Sequence, residues 1–281
     1  MRLGWPHGLF PSIRCCAYID IAMTRKTQGV ELRGVSRFMS VLKLVAASQE
    51  AGLRAAEIAS ELRLSYTTVH RILQALLREQ AVERTSDGKR YCIGPEVSLL
   101  GLARTGHFPL RARAMENMLN IKSAFGETCY LTVRSQLDSV CIHREVGTSA
   151  RKVLSIDVGS RRPMGVVIGS VAYLALLPAA MAEDIILINA DRYPRHQLDA
   201  ADVMKRVEQA RKNGFAYADP GLQPRTRSVS VAIQGADGMP LGSLSVVAVT
   251  ESMKQTRRDS IAKRLMAEAA DISSRLQSTG S

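Results

Sequence analysis

Residues 35–93 constrain the fold most, because they carry three apolar patterns of helical period and then a turn signal. Apolar residues recur at three- and four-residue spacing, which predicts amphipathic helices over residues 35–47, 54–62 and 66–77. Ser65 is a good N-cap for the third helix, and its three-residue connection to the second is typical of a helix-turn-helix. The Asp87-Gly88 step predicts a hairpin. The pattern therefore indicates a winged helix.

The third helix presents a polar face once its apolar residues point inward. That face is a mixture of hydrogen-bond donors and stacking groups able to read base edges in the major groove: Tyr66, Thr67, His70, Arg71 and Gln74. Hydroxyl groups at the start of the helix suit a phosphate, and they belong to Ser65, Thr67 and Thr68. Arg84, Lys89 and Arg90 on the hairpin add phosphate or minor-groove contacts. A solvated face of a small helical domain stays open as the alternative.

Charge and length agree with a DNA-binding domain joined to a second domain. The 38 Lys and Arg residues exceed the 26 Asp and Glu residues, and the net charge of +12 favours an anionic partner. A length of 281 residues is enough for two domains. An apolar helix over residues 95–105 is expected to join them. Beyond it, predicted helices lie at 111–125, 167–177, 182–190, 201–212 and 259–276. Predicted strands lie at 129–134, 139–145, 152–156, 215–218, 229–233 and 241–249. This mixture predicts an α+β fold with a mostly antiparallel sheet.

Several motifs, in one order, resemble the IclR family of bacterial transcriptional regulators. They are the run AAEIASELRLSYTTVHRILQALLREQAVER followed by GKRYCIGP, then Gly126-Glu127-Thr128, Val158-Gly159-Ser160-Arg161-Arg162-Pro163, Asn213-Gly214-Phe215-Ala216 and Leu244-Ser245-Val246. The resemblance covers residues 32–276. It implies a winged helix-turn-helix DNA-binding domain over residues 32–94, a linker helix over 95–108 and a GAF-like or profilin-like effector-binding domain over 109–278. We expect residues 1–31 to form a disordered tail.

The resemblance also implies a ligand pocket in the second domain. Carried over by position, the effector contacts are Leu154, Ile168, Gly169, Asp219, Ser228, Ser245 and Val247. Ser228 and Ser230 share one face of a predicted strand and Ser245 lies on the neighbouring strand, so their hydroxyls are able to converge. The N–H groups that begin the apolar helix after Gly165 favour a carboxylate. We therefore expect a small organic acid, aromatic or branched. Two ordinary serines in a packed sheet are the alternative.

Motifs for catalysis are missing from the sequence, and we expect no enzyme activity, catalytic residue, metal ion or cofactor. The sequence contains no G-x-S-x-G, H-E-x-x-H, G-x-x-x-x-G-K-[ST] or G-x-G-x-x-G motif. If the hairpin turns at residues 137–138, the side chains of Cys129, Cys141 and His143 share one face, which is too few ligands for zinc. A redox-responsive regulator that uses Cys129 and Cys141 is an alternative, and a small-molecule enzyme with a basic accessory domain is another.

Expected partners follow from the small size of one recognition helix. A single short helix contacts few bases, so we expect a homodimer or a dimer of dimers on a pseudo-palindromic operator.

The uncharged run over residues 163–182 is interrupted by Pro178, which argues against a membrane span. The five cysteines do not form a disulfide pattern, so a cytoplasmic location is expected.

Overall fold

The computed structural model describes residues 32–48, 51–102, 109–151, 153–154 and 156–277. The predicted tail over residues 1–31 lies outside these residues. The N-terminal part contains all the predicted elements: α1 (Leu32–Ala47), α2 (Ala55–Leu62), α3 (Tyr66–Arg78), β1 (Val82–Arg84) and β2 (Tyr91–Ile93). The strands β1 and β2 pair antiparallel as the predicted wing. The winged helix-turn-helix is therefore confirmed.

A small apolar core holds this winged helix together. Val41 of α1, Ile58 of α2, Leu73 of α3 and Tyr91 of β2 are buried against each other. The Ser65 side chain accepts a hydrogen bond from the Thr68 N–H at 3.2 Å, so Ser65 caps α3 as predicted. These contacts orient α3 so that its polar side faces outward.

The C-terminal part is an α+β fold built on an antiparallel sheet, as predicted. In the described chain this sheet has six strands in the order β5-β4-β3-β8-β7-β6. The strands are β3 (Thr128–Ser135), β4 (Asp138–Glu145), β5 (Arg161–Pro163), β6 (Ala216–Ala218), β7 (Thr226–Gln234) and β8 (Pro240–Val249). The helices are α4 (Pro95–Leu102), α5 (Pro109–Phe125), α6 (Ile168–Leu176), α7 (Ala179–Ile188), α8 (Ala200–Asn213) and α9 (Gln255–Gln277). A 3-10 segment, Ala190–His196, connects α7 to α8.

The two faces of the sheet differ in chemistry. One face is apolar and packs against α5 and α9, with Leu131, Val229 and Val246 in its core. The opposite face carries hydroxyl groups at alternate positions of the central strands, and it is covered by α6: Thr132, Ser228, Ser230, Ser243 and Ser245. Because side chains alternate along a strand, the same strands supply a hydrophobic core on one side and a polar surface on the other.

The strand predicted over residues 152–156 is wrong. The described residues of this segment, Val153, Leu154 and Ile156, form no strand, and β5 pairs with β4 instead. The Tyr130 hydroxyl donates a hydrogen bond to the Val153 carbonyl at 2.8 Å. A side chain therefore satisfies a backbone acceptor of this segment without a strand ladder.

The predicted common face for Cys129, Cys141 and His143 is also wrong. A bulge in β4 makes His143 pair with Leu131 but Cys141 pair with Thr132, which leaves one extra residue between them. The turn occupies residues 136–137 and not 137–138, because Ser135 pairs with Asp138. As a result, Cys129 packs in the apolar core while Cys141 packs beside Tyr130 on the opposite face.

Among the described residues, no helix combines the length and the hydropathy needed to cross a bilayer.

Candidate functional site

The outer surface of α3 is polar and exposed. The Tyr66 and His70 rings stack with their centroids 6.2 Å apart, and Gln74 Nε2 lies 3.5 Å from His70 Nε2. Tyr66, Thr67, His70 and Arg71 are exposed, while Thr68 and Gln74 are half-buried. Within the described part of the chain, the Arg71 guanidinium has no hydrogen bond or ion pair. A free donor on an exposed helix face is available to a nucleic acid.

The wing supplies cations of two kinds. Arg84 and Lys89 are exposed, and Arg84 lies 5.2 Å from the centroid of the Tyr91 ring while donating to the Gly88 carbonyl at 2.9 Å. Arg90 is half-buried; it donates to the Gly52 carbonyl at 3.1 Å and lies 3.5 Å from a Glu57 oxygen. Arg90 therefore holds the wing to α2, whereas Arg84 and Lys89 keep their charges toward solvent.

Two further arginines near α3 were missed by sequence reasoning. Arg37 of α1 and Arg78 at the end of α3 line one cleft together with Thr68 and Arg71. Both are exposed, and neither forms an ion pair within the described residues. The spacing of seven residues between Arg71 and Arg78, two helical turns, was the available signal. The basic surface on α3 is thus longer than predicted.

A cavity of about 220 Å³ lies between the hydroxyl face of the sheet, the start of α6 and the side of α8. It is lined by five of the residues expected from the family resemblance: Ile168, Gly169, Ser228, Ser245 and Val247. Leu154 is 48% exposed and lies outside this lining. Asp219 also lies outside it, between the lining residues Ala218 and Pro220, where its Oδ2 accepts a hydrogen bond from Arg227 Nε at 2.9 Å.

Most hydroxyls beneath the cavity are paired with each other. Thr132 Oγ1 lies 2.6 Å from Ser243 Oγ, and Ser245 Oγ donates to Ser230 Oγ at 2.9 Å. Ser230 in turn donates to the Leu244 carbonyl and does not line the cavity. The Ser228 hydroxyl has no hydrogen-bond partner within the described chain. This floor therefore offers one unpaired hydroxyl to a ligand.

Gly169 brings α6 onto this floor. A Cβ atom at residue 169 would lie 2.7 Å from Ser243 Oγ, 2.8 Å from Thr132 Oγ1 and 3.0 Å from Ser245 Oγ. Only a residue without a side chain fits such a close approach. The N-terminal turn of α6 thus lies directly beside the cavity, where its N–H groups favour an anion.

Sequence reasoning missed two basic side chains of the cavity lining, Arg206 of α8 and His196 of the 3-10 segment. Burial lowers the pKa of His196, and the charges of Arg162, Arg192 and Arg195 lower it further. Among the described residues, the lining contains no Asp or Glu. For Arg206, the available sequence signal was its place beside the buried stripe of Val203, Val207 and Ala210 on α8.

The cysteines of the sheet are poorly suited to redox chemistry. Burial raises the pKa of Cys141 to about 12, and burial also raises the pKa of Cys129. The thiolate is the reactive form, so both thiols are protonated and inert near neutral pH. In the part of the chain that the structure describes, no three His, Cys, Asp or Glu residues cluster as metal ligands.

A winged helix-turn-helix joined to an α+β domain with a cavity defines a DNA-binding regulator with a ligand-binding domain. Residues 34–86 match the model of the IclR helix-turn-helix domain, and residues 103–274 match the model of the bacterial transcriptional regulator IclR C-terminal domain. The chain belongs to the IclR family of transcriptional regulators.

Individual relatives agree with this assignment. The HTH-type transcriptional regulator BhcR of Paracoccus denitrificans is 24% identical over 244 residues, which are 86% of each chain. The IclR transcriptional regulator of Alicyclobacillus acidocaldarius superposes with a TM-score of 0.69 at 22% identity, covering 87% of this chain and 98% of the other. An IclR homologue of Microbacterium hydrocarbonoxydans, solved in complex with 4-hydroxybenzoate, has a TM-score of 0.66 at 20% identity and covers 87% and 99%.

Proposed function

We propose that this regulator reads operator DNA through α3 and the wing, in the cytoplasm, and that a small organic acid in the cavity changes its DNA affinity. The observation that carries the DNA part is the exposed outer face of α3, where Arg71 has no partner among the described residues and Tyr66 stacks on His70. Arginine and amide side chains on such a face are those that bind base edges. Arg84 and Lys89 on the wing are suited to the neighbouring phosphates.

The experiment that tests DNA reading compares Arg71→Ala with a matched control. Fragments selected from genomic DNA by the purified protein provide the operator, and anisotropy at two salt concentrations gives affinities for operator and scrambled DNA. We expect Arg71→Ala to lose roughly 10- to 100-fold in operator affinity and much less on scrambled DNA. Lys205→Ala, which removes one exposed charge on α8, should change neither. Equal losses on both DNAs would contradict base reading by Arg71.

Dimerisation is supported by exposed apolar helix faces near the DNA-binding domain. On α1, the side chains of Val35, Phe38 and Met39 are 66%, 37% and 45% exposed. On α4, Leu99 and Leu100 are exposed, and this helix has no buried residue. Contiguous exposed apolar residues typically mark a protein interface. We infer that a second copy of the chain covers them, which would place two α3 helices on one operator.

Sedimentation of Leu99→Glu and Leu100→Glu variants tests this interface. Both positions are exposed, so the substitutions should not unfold the monomer. We expect the variants to sediment as monomers and to lose cooperative operator binding. A wild-type oligomer that persists in both variants would place the interface elsewhere.

The effector part of the proposal is supported by the cavity itself. Within the described residues it has one unpaired hydroxyl, the N-terminal turn of α6 and the basic side chain of Arg206, and these groups favour an acid. The Microbacterium homologue was solved with 4-hydroxybenzoate, which makes that acid the first probe. We expect carboxylic acids of this size to raise the melting temperature of the protein and to change its operator affinity. If none of a broad acid panel does either, the acid-effector proposal fails.

A physical link from the cavity to the DNA-binding domain runs through the 3-10 segment. His196 lines the cavity, while the adjacent Arg195 places Nη1 3.0 Å from Glu61 Oε1 on α2. An exposed ion pair of this kind contributes little stability. Its removal therefore tests the effect of acid binding on operator affinity without unfolding the protein. We expect Glu61→Gln to reduce the acid-induced change in operator affinity without altering acid affinity in the absence of DNA. Glu251→Gln, which breaks a distant exposed pair with Arg225, is the control. An unchanged coupling in Glu61→Gln would contradict this route.

A further inference from the structure

Of the cavity-lining residues that the structure describes, Arg206 is the one with a permanently charged side chain. It is half-buried in the middle of α8, and the lining residues that the structure describes include no carboxylate to neutralise it. Across the described chain, its guanidinium makes no hydrogen bond and no ion pair. Partial burial of a charge without a counterion is unfavourable. A ligand bound in the cavity is therefore able to supply the counterion that Arg206 lacks within the described residues.

The nearest acid on the same helix is already engaged. Asp202 lies one turn before Arg206, where an ion pair along the helix is possible by spacing. Its Oδ2 instead accepts the N–H of Asp199 at 3.1 Å, and the two residues form the capping box that begins α8. Asp202 therefore caps the N-terminus of α8 and forms no ion pair with Arg206 among the described residues.

The other groups of the cavity do not duplicate this charge. His196, its other basic residue, lies close to Arg162, Arg192 and Arg195, which together with burial favour the neutral imidazole. The Ser228 hydroxyl on the sheet is uncharged and has no hydrogen-bond partner in the part of the chain that the structure describes. The cavity thus provides one full positive charge, one free hydroxyl and apolar walls from residues such as Leu198 and Val247.

We propose that Arg206 binds the carboxylate of the effector and thereby sets the specificity of the cavity for singly charged organic acids. The inference rests on the proposed effector function of the same cavity. A guanidinium binds a carboxylate through two parallel N–H···O hydrogen bonds, which give both affinity and orientation. The apolar walls then contact the body of the acid, and Ser228 is the hydrogen-bond partner for a polar group elsewhere on it.

Calorimetric titration with matched ligands and matched variants tests this role. The first ligands are 4-hydroxybenzoate and its neutral counterpart 4-hydroxybenzamide, followed by a panel of aliphatic and aromatic monocarboxylates. The variants are Arg206→Gln, which removes the charge, Arg206→Lys, which keeps it without the paired donors, and Lys205→Gln. Lys205 is the exposed neighbour on the same helix, so it controls for the loss of one charge from α8. Circular dichroism establishes that each variant is folded.

The expected pattern separates a charge contact from a general structural effect. We expect Arg206→Gln to weaken the acid that binds the wild type best by roughly 10- to 100-fold, the range of a charged hydrogen bond. Arg206→Lys should lose less, Lys205→Gln should change affinity less than about twofold, and binding of the matching amide should not depend on Arg206.

Three outcomes would overturn the inference, and they are distinguishable. If wild type and Arg206→Gln bind acids equally, Arg206 is not the carboxylate ligand, although the cavity remains the effector site. If no acid in the panel binds the wild type, the acid-effector function itself fails and the role of Arg206 fails with it. An equal loss of acid and amide binding in Arg206→Gln would assign Arg206 to cavity shape and not to charge recognition.

Discussion

Replacement of Gly169 by alanine sets two measurable effects against each other. Alanine is the better helix former and alone would stabilise α6 by up to about 1 kcal/mol. The added Cβ, however, would lie 2.7 Å from Ser243 Oγ and 2.8 Å from Thr132 Oγ1, which are themselves hydrogen-bonded at 2.6 Å. Overpacking of this kind costs about 1–3 kcal/mol, and loss of one buried hydrogen bond adds about 1 kcal/mol. We expect Gly169→Ala to destabilise the C-terminal domain by a net of about 1–3 kcal/mol.

Urea unfolding monitored by circular dichroism, together with thermal unfolding, measures this change. Gly34→Ala is the matched control, because a Cβ at this helical position meets no atom of the described residues within 4 Å and should be neutral or stabilising. Adding Ser243→Ala to Gly169→Ala removes the nearest hydroxyl and should recover part of the loss. A Gly169→Ala protein as stable as the wild type would refute the close approach of α6 to the sheet.

Three further outcomes are expected. Ser65→Ala should lower the stability of the winged helix by about 1 kcal/mol in thermal unfolding, because the cap of α3 is lost, whereas Ser65→Asn should retain it. With the other three cysteines replaced by serine, native protein at pH 8 should leave Cys129 and Cys141 unlabelled by a thiol reagent until it unfolds; rapid labelling would revive the redox alternative. Burial raises the pKa of Glu127, although the charge of Arg257 lowers it. The Glu127 carboxyl is therefore protonated more readily in the folded state than in the unfolded state. The stability of wild type relative to Glu127→Gln should therefore be greatest below about pH 4 and fall as the pH rises through the raised pKa; a rise would contradict this.

The DNA-binding half was predictable because its signals are local. The cap at Ser65, the apolar period of α3 and the Asp87-Gly88 turn each act within a few residues of sequence. The segment after Gly147 shows the limit of this approach. Its β-branched and aliphatic residues suggested a strand, but the Tyr130 hydroxyl binds the Val153 carbonyl and β5 takes the sheet edge. A tertiary contact outweighed the local preference there.

The cavity was only partly predictable, because its residues are brought together by sheet order. The expectation for Ser228 and Ser245 came from the family resemblance and was supported by strand alternation, and both residues line the cavity. Thr132 and Arg206 come from β3 and α8, and no local pattern connects them to those serines. The bulge in β4 was not predictable from the sequence either. Its one extra residue places Cys141 on the opposite face, and no local sequence pattern indicates it.

The pairing of hydroxyls on the floor separates residues that stabilise the fold from residues that bind the ligand. Ser230 and Ser243 are hydrogen-bonded within the sheet, so their hydroxyls and those of their partners are satisfied when the cavity holds no ligand. Replacing either one leaves a buried partner unsatisfied, and the cost falls on stability. Ser228 and Arg206 have no partners in the described chain, so removing their polar groups leaves no orphaned partner in the ligand-free protein. Their substitution should therefore change ligand affinity with little effect on unfolding, and this difference distinguishes a binding cavity from a packing defect in the sheet.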